Sequence, residues 1–268
     1  MDLQAVLATM GGPLKGPEPA ERITANMNLY AVLPALGELV KLDAEAGRIA
    51  AEMAVTLEFH VLRGPRVLLR FDHGKVTAER EGCSDLGLLF LSCDRLNRMF
   101  AGEKITPIPF GSLWRFAELQ RFEKLSAILT RYLKPSVADM KVPAFRKAHV
   151  GLSLLVGLSA TREVADLDRK ARRVAAHLYN GSIQYSVGDD GPDAYVEIKD
   201  GVIQVRMGKL ADPTTTIGIR DVDLAVDLIA NRVDTFAANG AGDIRASGDL
   251  HLADEFNHLF ERVGLYLK

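Results

Sequence analysis

The sequence contains an internal repeat, and this repeat constrains the fold more than any other feature. Residues 29–53, LYAVLPALGELVKLDAEAGRIAAEM, align without a gap with residues 154–178, LLVGLSATREVADLDRKARRVAAHL, at a shift of 125 positions and with 10 identical residues. Three further blocks follow in the same order: 57–61 over 183–187, 71–76 over 198–203, and FEKLSAIL from Phe122 over ADEFNHLF from Ala253. Chance similarity between Ala- and Leu-rich helices explains the first block but not four ordered blocks. We therefore predict a duplicated unit of roughly 110–130 residues, near the common domain size.

The repeat predicts two domains in this chain of 268 residues. The first copy ends near Lys134-Pro135, because proline stops its last helix. The expected organisation is a lead-in at 1–28, a first unit at 29–135, a linker at 136–153 and a second unit at 154–268.

The second copy predicts an α+β unit in which helices cover an antiparallel or mixed five-stranded sheet. Residues 160–178 carry apolar residues at helical spacing and predict one amphipathic helix. Asp200-Gly201 is a two-residue hairpin turn of the kind that needs positive φ. The predicted strands lie at 182–187, 194–198, 202–207, 211–219 and 243–247, with helices at 222–230 and from 249 to about 263. The first copy follows this order through a helix at 94–101, but its final strand is poorly defined.

The second copy resembles the sterol-carrier-protein (type 2) lipid-binding domain family. The residues that carry the resemblance are VEIKDGVIQV at 196–205, ADPTTTIGI at 211–219, DVDLAVDLI at 221–229 and GDIRASGDLHLADEF at 242–256. These motifs are individually loose, and their order and spacing make the likeness specific. The first copy shares it through the repeat, with GCSDLGLLFL at 82–91 in place of ADPTTTI. The resemblance implies two tandem units, each with a curved sheet and helices enclosing an apolar tunnel.

The resemblance implies non-catalytic binding or carriage of a lipid-like apolar ligand, such as a fatty acyl, sterol or isoprenoid chain, in an internal cavity. Such a cavity is lined by side chains without polar heads, because burial of apolar surface drives binding. The alternative is a protein-interaction or accessory module with filled cores, in which the aromatic stretch 100–122 contacts the other copy or a partner. The predicted lining residues, each of which also fits an ordinary core position, are Leu96, Phe100, Phe110, Trp114, Phe116, Phe122, Leu125, Leu224, Leu228, Phe236, Phe256 and Phe260.

The charge balance argues against a nucleic-acid partner. The chain has 33 basic and 35 acidic residues, for a net charge of -2, whereas a groove that follows phosphates needs a concentrated basic surface. Arg63, Arg66 and Arg70 form the densest basic cluster, around the turn RGPR. We interpret it as a solvated hairpin tip, with transient docking on anionic headgroups of a membrane surface as the alternative. The sequence is also compatible with a homo-oligomer.

No group of residues indicates catalysis, a metal or a cofactor. His251, Asp254, Glu255 and His258 share one predicted helix at a spacing that permits a metal, but they are common surface residues near a chain end. The two cysteines fit reduced thiols. The N-terminus has no basic n-region, and no apolar run approaches the length of a bilayer span. We therefore expect a soluble, cytoplasmic, non-enzymatic protein without a cofactor.

Overall fold

A computed structural model describes residues 18–112 and 115–267. The chain divides into two compact units between Leu129 and Thr130. In the first unit a π-helical turn (Asn28–Val32) and a 3₁₀ turn (Leu33–Ala35) join the first two helices. The helices and strands of this unit are α1 (Pro19–Met27), α2 (Leu36–Leu42), α3 (Ala44–Ala51), β1 (Ala54–Val61), β2 (Arg66–Asp72), β3 (Lys75–Glu79), β4 (Leu86–Phe90), α4 (Cys93–Phe100), β5 (Ile108–Gly111) and α5 (Phe116–Leu133), whose last turn belongs to the second unit.

The second unit repeats this order of elements. A 3₁₀ turn (Asp139–Lys141) precedes its first long helix. The elements are α6 (Pro143–Leu167), α7 (Arg169–Ala175), β6 (Gly181–Val187), β7 (Asp193–Lys199), β8 (Val202–Met207), β9 (Thr215–Ile219), α8 (Val222–Ile229), α9 (Thr235–Gly240), β10 (Ile244–Gly248) and α10 (Leu250–Val263). Among the residues that the structure describes, no helix combines the length and hydropathy needed to cross a bilayer.

Both sheets have the same topology, which confirms the predicted α+β class with two five-stranded mixed sheets. The strand orders are β3-β2-β1-β4-β5 and β8-β7-β6-β9-β10. In each sheet the first strand pairs in parallel with the fourth, so that Leu57 lies opposite Leu86 and Ile183 opposite Thr215. All other neighbours are antiparallel. The final strand of the first copy, poorly defined from sequence, is the short strand β5.

The hairpin between the second and third strands of each sheet closes on the same kind of turn. His73-Gly74 has φ values of 46° and 95°, and Asp200-Gly201 has φ values of 51° and 76°. Two consecutive residues with positive φ form the tight turn whose twist matches the twist of a hairpin. The predicted turn at Asp200-Gly201 is confirmed, and the repeat places its counterpart in the first unit.

A buried polar side chain on the first strand of each sheet holds a long connection in place. The third strand lies at an edge and the fourth lies beyond the first, so the chain between them must cross one face of the sheet. In the first unit Ser84, on this connection, donates to the carboxylate of Glu58 at 2.6 Å. In the second unit Gln184 accepts from the backbone N–H of Leu210 at 2.8 Å and donates to the carbonyl of Gly208 at 3.2 Å. We call the face that the connection crosses the outer face of the sheet, and we call the face that contacts the helices the inner face.

An aspartate breaks the helical layer at equivalent positions of the two copies. Asp43 accepts from the backbone N–H groups of Glu45 and Ala46 at the start of α3, and Asp168 caps α7 in the same way. The predicted single helix at 160–178 is therefore two helices, α6 and α7. Aspartate favours the N-cap because its carboxylate satisfies amides that have no partner inside the helix.

The limits of the units also differ from the expected ones. Ile23 and Met27 on α1 are buried, so the last part of the expected lead-in is packed in the first unit. The expected linker at 136–153 includes the first turns of α6, where Val150 and Leu152 are buried. These apolar residues join the core of the second unit, and a linker would leave them in water.

We predict that Asp168→Asn destabilises the second unit by about 2–3 kcal/mol even though asparagine, which is nearly as good an N-cap as aspartate, keeps the cap of α7. The cost arises because Asp168 also accepts from the Arg262 guanidinium at 2.6 Å and from the Tyr266 hydroxyl. The substitution removes the charge of Asp168 and leaves the largely buried Arg262 guanidinium without its carboxylate.

Native-state hydrogen exchange resolves the free energy of unfolding of each unit separately. Amides of β6 and β7 should lose protection in Asp168→Asn, while amides of β1 and β2, in the other unit, should be unchanged. Unchanged protection of β6 and β7 would contradict the assigned role of the Arg262 pair.

Candidate functional site

The inner face of the second sheet carries an apolar surface beneath the helices. At one end of β6, Val187 packs against Val150 of α6 and against Ala225 and Val226 of α8. Ile219, opposite Val187 on β9, packs on the same cluster. This end of the inner face is therefore closed by two helices.

A row of four side chains crosses the middle of this inner face. Tyr185 of β6 lies opposite Ala194 of β7 and Ile217 of β9, and Ile217 lies opposite Ala246 of the edge strand β10. Ala194 and Tyr185 are buried, Ile217 is half-buried and Ala246 is exposed. The apolar inner face thus becomes more accessible towards the β10 edge, which makes it the candidate surface for an apolar ligand.

Tyr185 contributes the polar group of this row. Burial raises the pKa of its phenol well above the ordinary value, so the side chain stays neutral near neutral pH. Its hydroxyl makes no hydrogen bond to another residue in the described ranges 18–112 and 115–267. A neutral phenol in apolar surroundings is a hydrogen-bond donor for a single polar group on an otherwise apolar molecule.

The first unit fills the corresponding space with aromatic rings. Phe59 is the counterpart of Tyr185, and its ring lies 5.1 Å from the ring of Phe122 on α5. Phe71 lies 6.4 Å from the same ring, centroid to centroid. In the repeat alignment Ala253 of α10 stands where the first copy has Phe122. By this alignment the second unit has a methyl group where the first unit has a phenyl ring.

The structure separates the predicted lining residues of the first unit into different environments. Phe110 lies over Gly87, on the outer face, where a Cβ on Gly87 would meet its ring at 2.1 Å. Phe122 lies on the inner face, so these two predicted residues do not share a cavity. Phe116 is 49% exposed, and Trp114 lies outside the described residues. Leu96 and Leu125 are buried with Phe122, and Phe100 is half-buried.

The predicted lining residues of the second unit lie on two helices of its helical layer. Leu224 and Phe256 are buried, and Leu228 and Phe260 are half-buried. The ring of Phe260 packs on α6 at Gly157, where an added Cβ would meet it at 3.1 Å. Phe236 lies on α9, and its side chain falls outside the described part of the structure.

Sequence reasoning missed Tyr185, Ile217 and Ala253. The alternation along β6 and β9 carries a signal for the first two, because every second residue faces the helices. Ala253 could have been found from the repeat itself, since it is small where the other copy has Phe122. Ala253 differs from the predicted aromatic residues in that its small size is the property that matters.

The first unit also contains a cluster of ionisable groups around Glu58, on the outer face. Arg66 Nε lies 2.6 Å and His60 Nδ1 lies 3.3 Å from its carboxylate, and Ser84 donates to it. Burial alone would raise the pKa of Glu58, but the hydrogen bonds from His60, Ser84 and Arg66 outweigh burial and lower it to about 2. Arg66 also donates to the carbonyl of Gly82, so part of the arginine cluster expected at a solvated hairpin tip is structural.

This cluster has the residue types of a hydrolytic triad but not its arrangement. The Ser84 hydroxyl donates to Glu58, and a nucleophilic serine would instead donate to the histidine. A carboxylate with a pKa of about 2 is also a weak general base near neutral pH. The geometry therefore describes an anchor for the crossing connection.

The structure bears on a metal site only through the residues that it describes. Within ranges 18–112 and 115–267, no three or more His, Cys, Asp or Glu side chains are grouped closely enough to hold a metal ion. His258 and Asp254 lie 3.7 Å apart on α10, at the surface.

The fold and the inner face define a small α+β domain with an internal apolar surface. Residues 162–261 match the model of the SCP-2 sterol transfer family. The match lies within the second unit and confirms the resemblance inferred from its motifs, whereas the first unit resembles that family through the repeat and the shared topology. The match supports lipid binding or transfer as the general class of function.

Several solved structures are similar to this chain. The sterol carrier protein domain 2 of Helicoverpa armigera is 21% identical and aligns over 41% of this chain and 87% of its own, with a TM-score of 0.32. UbiJ-SCP2, a ubiquinone synthesis protein, is 14% identical over 36% of this chain and 82% of its own, with a TM-score of 0.29. A stereoselective inverting sec-alkylsulfatase from Pseudomonas sp. is 12% identical over 54% of this chain and 28% of its own, with a TM-score of 0.24. No curated protein matches the chain.

We predict that Glu58→Gln destabilises the first unit and removes a pH dependence of its stability. The folded pKa of about 2 lies below the unfolded value of about 4.3, so this carboxylate stabilises the fold above the unfolded pKa. That stabilisation is lost as the pH falls from about 4.3 towards the folded pKa. The variant removes the negative charge that pairs with Arg66, at a cost of about 1–3 kcal/mol near neutral pH.

Urea denaturation between neutral and acidic pH, followed by hydrogen exchange of β1, measures this effect. Glu81→Gln is the matched control, because Glu81 is exposed on the same connection. An acid-induced loss of stability that persists unchanged in Glu58→Gln would show that other carboxylates are responsible.

Proposed function

We propose that the second unit carries a lipid-like apolar ligand, such as a fatty acyl, sterol or isoprenoid chain, without catalysing a reaction on it. The observation that carries this proposal is the contrast between Phe122 and Ala253. The ring of Phe122 contacts Phe59 and Phe71 in the first unit. The repeat aligns the smaller Ala253 with Phe122, and in this proposal the ligand occupies the corresponding volume of the second unit. The family match of residues 162–261 supports the same class of ligand.

The ligand's apolar part would lie along the inner face of β9 and β10. Ile217 and Ile244 are half-buried and Ala246 is exposed, so covering them with an apolar ligand removes their surface from water. The Tyr185 hydroxyl would donate to the ligand's one polar group. The predicted lining residues Leu224, Leu228, Phe256 and Phe260, on α8 and α10, belong to the opposite wall in this proposal.

The first unit is better suited to an accessory role. Phe59, Phe71 and Phe122 form a packed aromatic cluster on its inner face, and Leu96 and Leu125 are fully buried. An aromatic core of this kind stabilises a domain and has no volume left for an acyl chain. We therefore propose that one ligand binds per chain.

We predict that Ala253→Phe prevents ligand binding by restoring the ring that the first unit has. Delipidated full-length protein should bind a fluorescent fatty acid saturably, with one site per chain, and Ala253→Phe should weaken binding at least about tenfold. Because the ring would enter the space that we propose for the ligand, the free energy of unfolding should change by less than about 1 kcal/mol, whereas overpacking a filled core costs about 1–3 kcal/mol.

Ala211→Phe, at an exposed position of the β8–β9 connection, is the control for adding a phenyl ring. It should bind the probe like the unmodified protein. Strong destabilisation by Ala253→Phe, together with no saturable binding to the unmodified protein, would favour the filled accessory module for both units.

We also predict that Tyr185→Phe distinguishes ligands with a polar head from pure hydrocarbons. Loss of one hydrogen bond should weaken binding of a fatty acid roughly fivefold, with little effect on a fluorescent hydrocarbon of similar length. Folding should be unaffected, since the hydroxyl has no partner in the described residues that the change would leave unsatisfied. Tyr195→Phe, on the outer side of β7, is the matched control, and equal losses for both probes would contradict the role of the hydroxyl.

A further inference from the structure

Helix α7 of the second unit presents a dense group of positive charges. Arg169, Lys170, Arg172 and Arg173 are exposed, and the one residue between them, Ala171, is buried against the unit. Within the described ranges, none of these four cations lies within ion-pair distance of a carboxylate. The whole chain has a net charge of -2, so this helix is a local concentration of charge and does not reflect a basic protein.

An open groove lies beside this helix, between α7 and α10. Its volume is about 400 Å³, and its polar lining includes Lys170 and His258. Arg262 also lines the groove and forms an ion pair with Asp168. Glu261 contributes a carboxylate to the lining. Val174 and Leu265 supply the apolar part. Leu265 is 57% exposed, and Leu267 after it is 47% exposed.

The equivalent helix of the first unit indicates whether folding requires the four cations of α7. Its helix α3 follows an equivalent capping aspartate and carries Ala44, Glu45, Gly47 and Arg48 where α7 carries its four cations. The same helix thus forms with one acidic and one basic residue at these positions. The fold does not need the cations of α7, so we infer that they contact a binding partner.

We propose that α7 and the leucines that follow α10 dock the second unit on an anionic lipid bilayer. Exposed Lys and Arg side chains are attracted to anionic headgroups, and neighbouring apolar side chains enter the boundary between headgroups and acyl chains. Nucleic acid would bind the cations but would leave Leu265 and Leu267 exposed to water. This inference rests on the proposed function, and it names the surface from which the carrier exchanges its ligand.

This surface differs from the arginine cluster that the sequence suggested for headgroup docking. Arg66 of that cluster is bound to the buried carboxylate of Glu58 and to the carbonyl of Gly82. Its guanidinium is therefore committed within the first unit. The four cations of α7 have no such partner in the described residues and remain available to phosphate or carboxylate groups.

The test is co-sedimentation of the full-length protein with phosphatidylcholine vesicles, with and without phosphatidylserine. We expect binding only to the phosphatidylserine vesicles, with partitioning that weakens as salt is added. The variant Arg169→Ala/Lys170→Glu/Arg172→Ala gives α7 nearly the side chains of α3 and should weaken partitioning at least about tenfold. Leu265→Ser/Leu267→Ser should weaken it while leaving its salt dependence in place.

The matched control removes the same charge from exposed positions of the first unit, in Arg70→Ala/Lys75→Glu/Lys124→Ala. It should bind vesicles like the unmodified protein, and a loss equal to that of the α7 variant would overturn the proposal in favour of general charge attraction. Equally tight, α7-dependent binding to a single-stranded oligonucleotide would overturn it in favour of a nucleic-acid surface.

Binding of the fluorescent fatty acid without vesicles keeps this test separate from the proposed function. The α7 variant should bind the fatty acid normally, because its substitutions lie on the exposed side of α7. Normal fatty-acid binding with no vesicle binding by the unmodified protein would refute docking alone. Vesicle binding without fatty-acid binding would refute the cavity and retain the surface.

Discussion

The parallel pairing of the first strand with the fourth is the constraint on which the rest of each unit depends. It places the first strand at the centre of the sheet and forces the chain after the third strand to cross the outer face. A crossing connection covers polar backbone on that face, and those groups need partners. Glu58 and Gln184 supply these partners from equivalent positions of the two central strands. Glu58 does so with a carboxylate and Gln184 with a side-chain amide. A buried polar residue in a strand is therefore part of this topology.

The same pairing sets which side chains face the helices, and there the two units differ. Phe59 and Tyr185 occupy equivalent positions, and so do Phe122 and Ala253 in the repeat alignment. The first unit gains packing energy from a ring that contacts two others. The second unit gives up that contact at a position where truncating a buried phenylalanine to alanine typically costs about 3–5 kcal/mol. The second unit also contains the ion pair between Asp168 and Arg262, which joins the start of α7 to α10.

Much of this fold could be predicted from the sequence because its determinants are local or repeated. The alternation of apolar residues marked the strands of the second unit, and Asp200-Gly201 marked a hairpin turn. The gapless alignment of residues 29–53 with 154–178 transferred that information to the first copy. The helix break at Asp168 was missed because a capping aspartate at helical spacing reads as one more polar residue on an amphipathic helix. Its partner Arg262 lies 94 positions away, and no local pattern reports such a contact.

The candidate site was harder to predict, since it depends on which faces the strands present. Phe110 and Phe122 both read as apolar lining residues, and only the strand register places them on opposite sides of one sheet. Aromatic content is also an ambiguous signal for a ligand cavity, because rings both line cavities and fill them. The two copies differ at one such position, where the repeat aligns Phe122 of the first unit with Ala253 of the second. The smaller side chain is the reason to propose the second unit as the one that binds an apolar ligand, and the buried Tyr185 hydroxyl is the hydrogen-bond donor proposed for the polar group of that ligand.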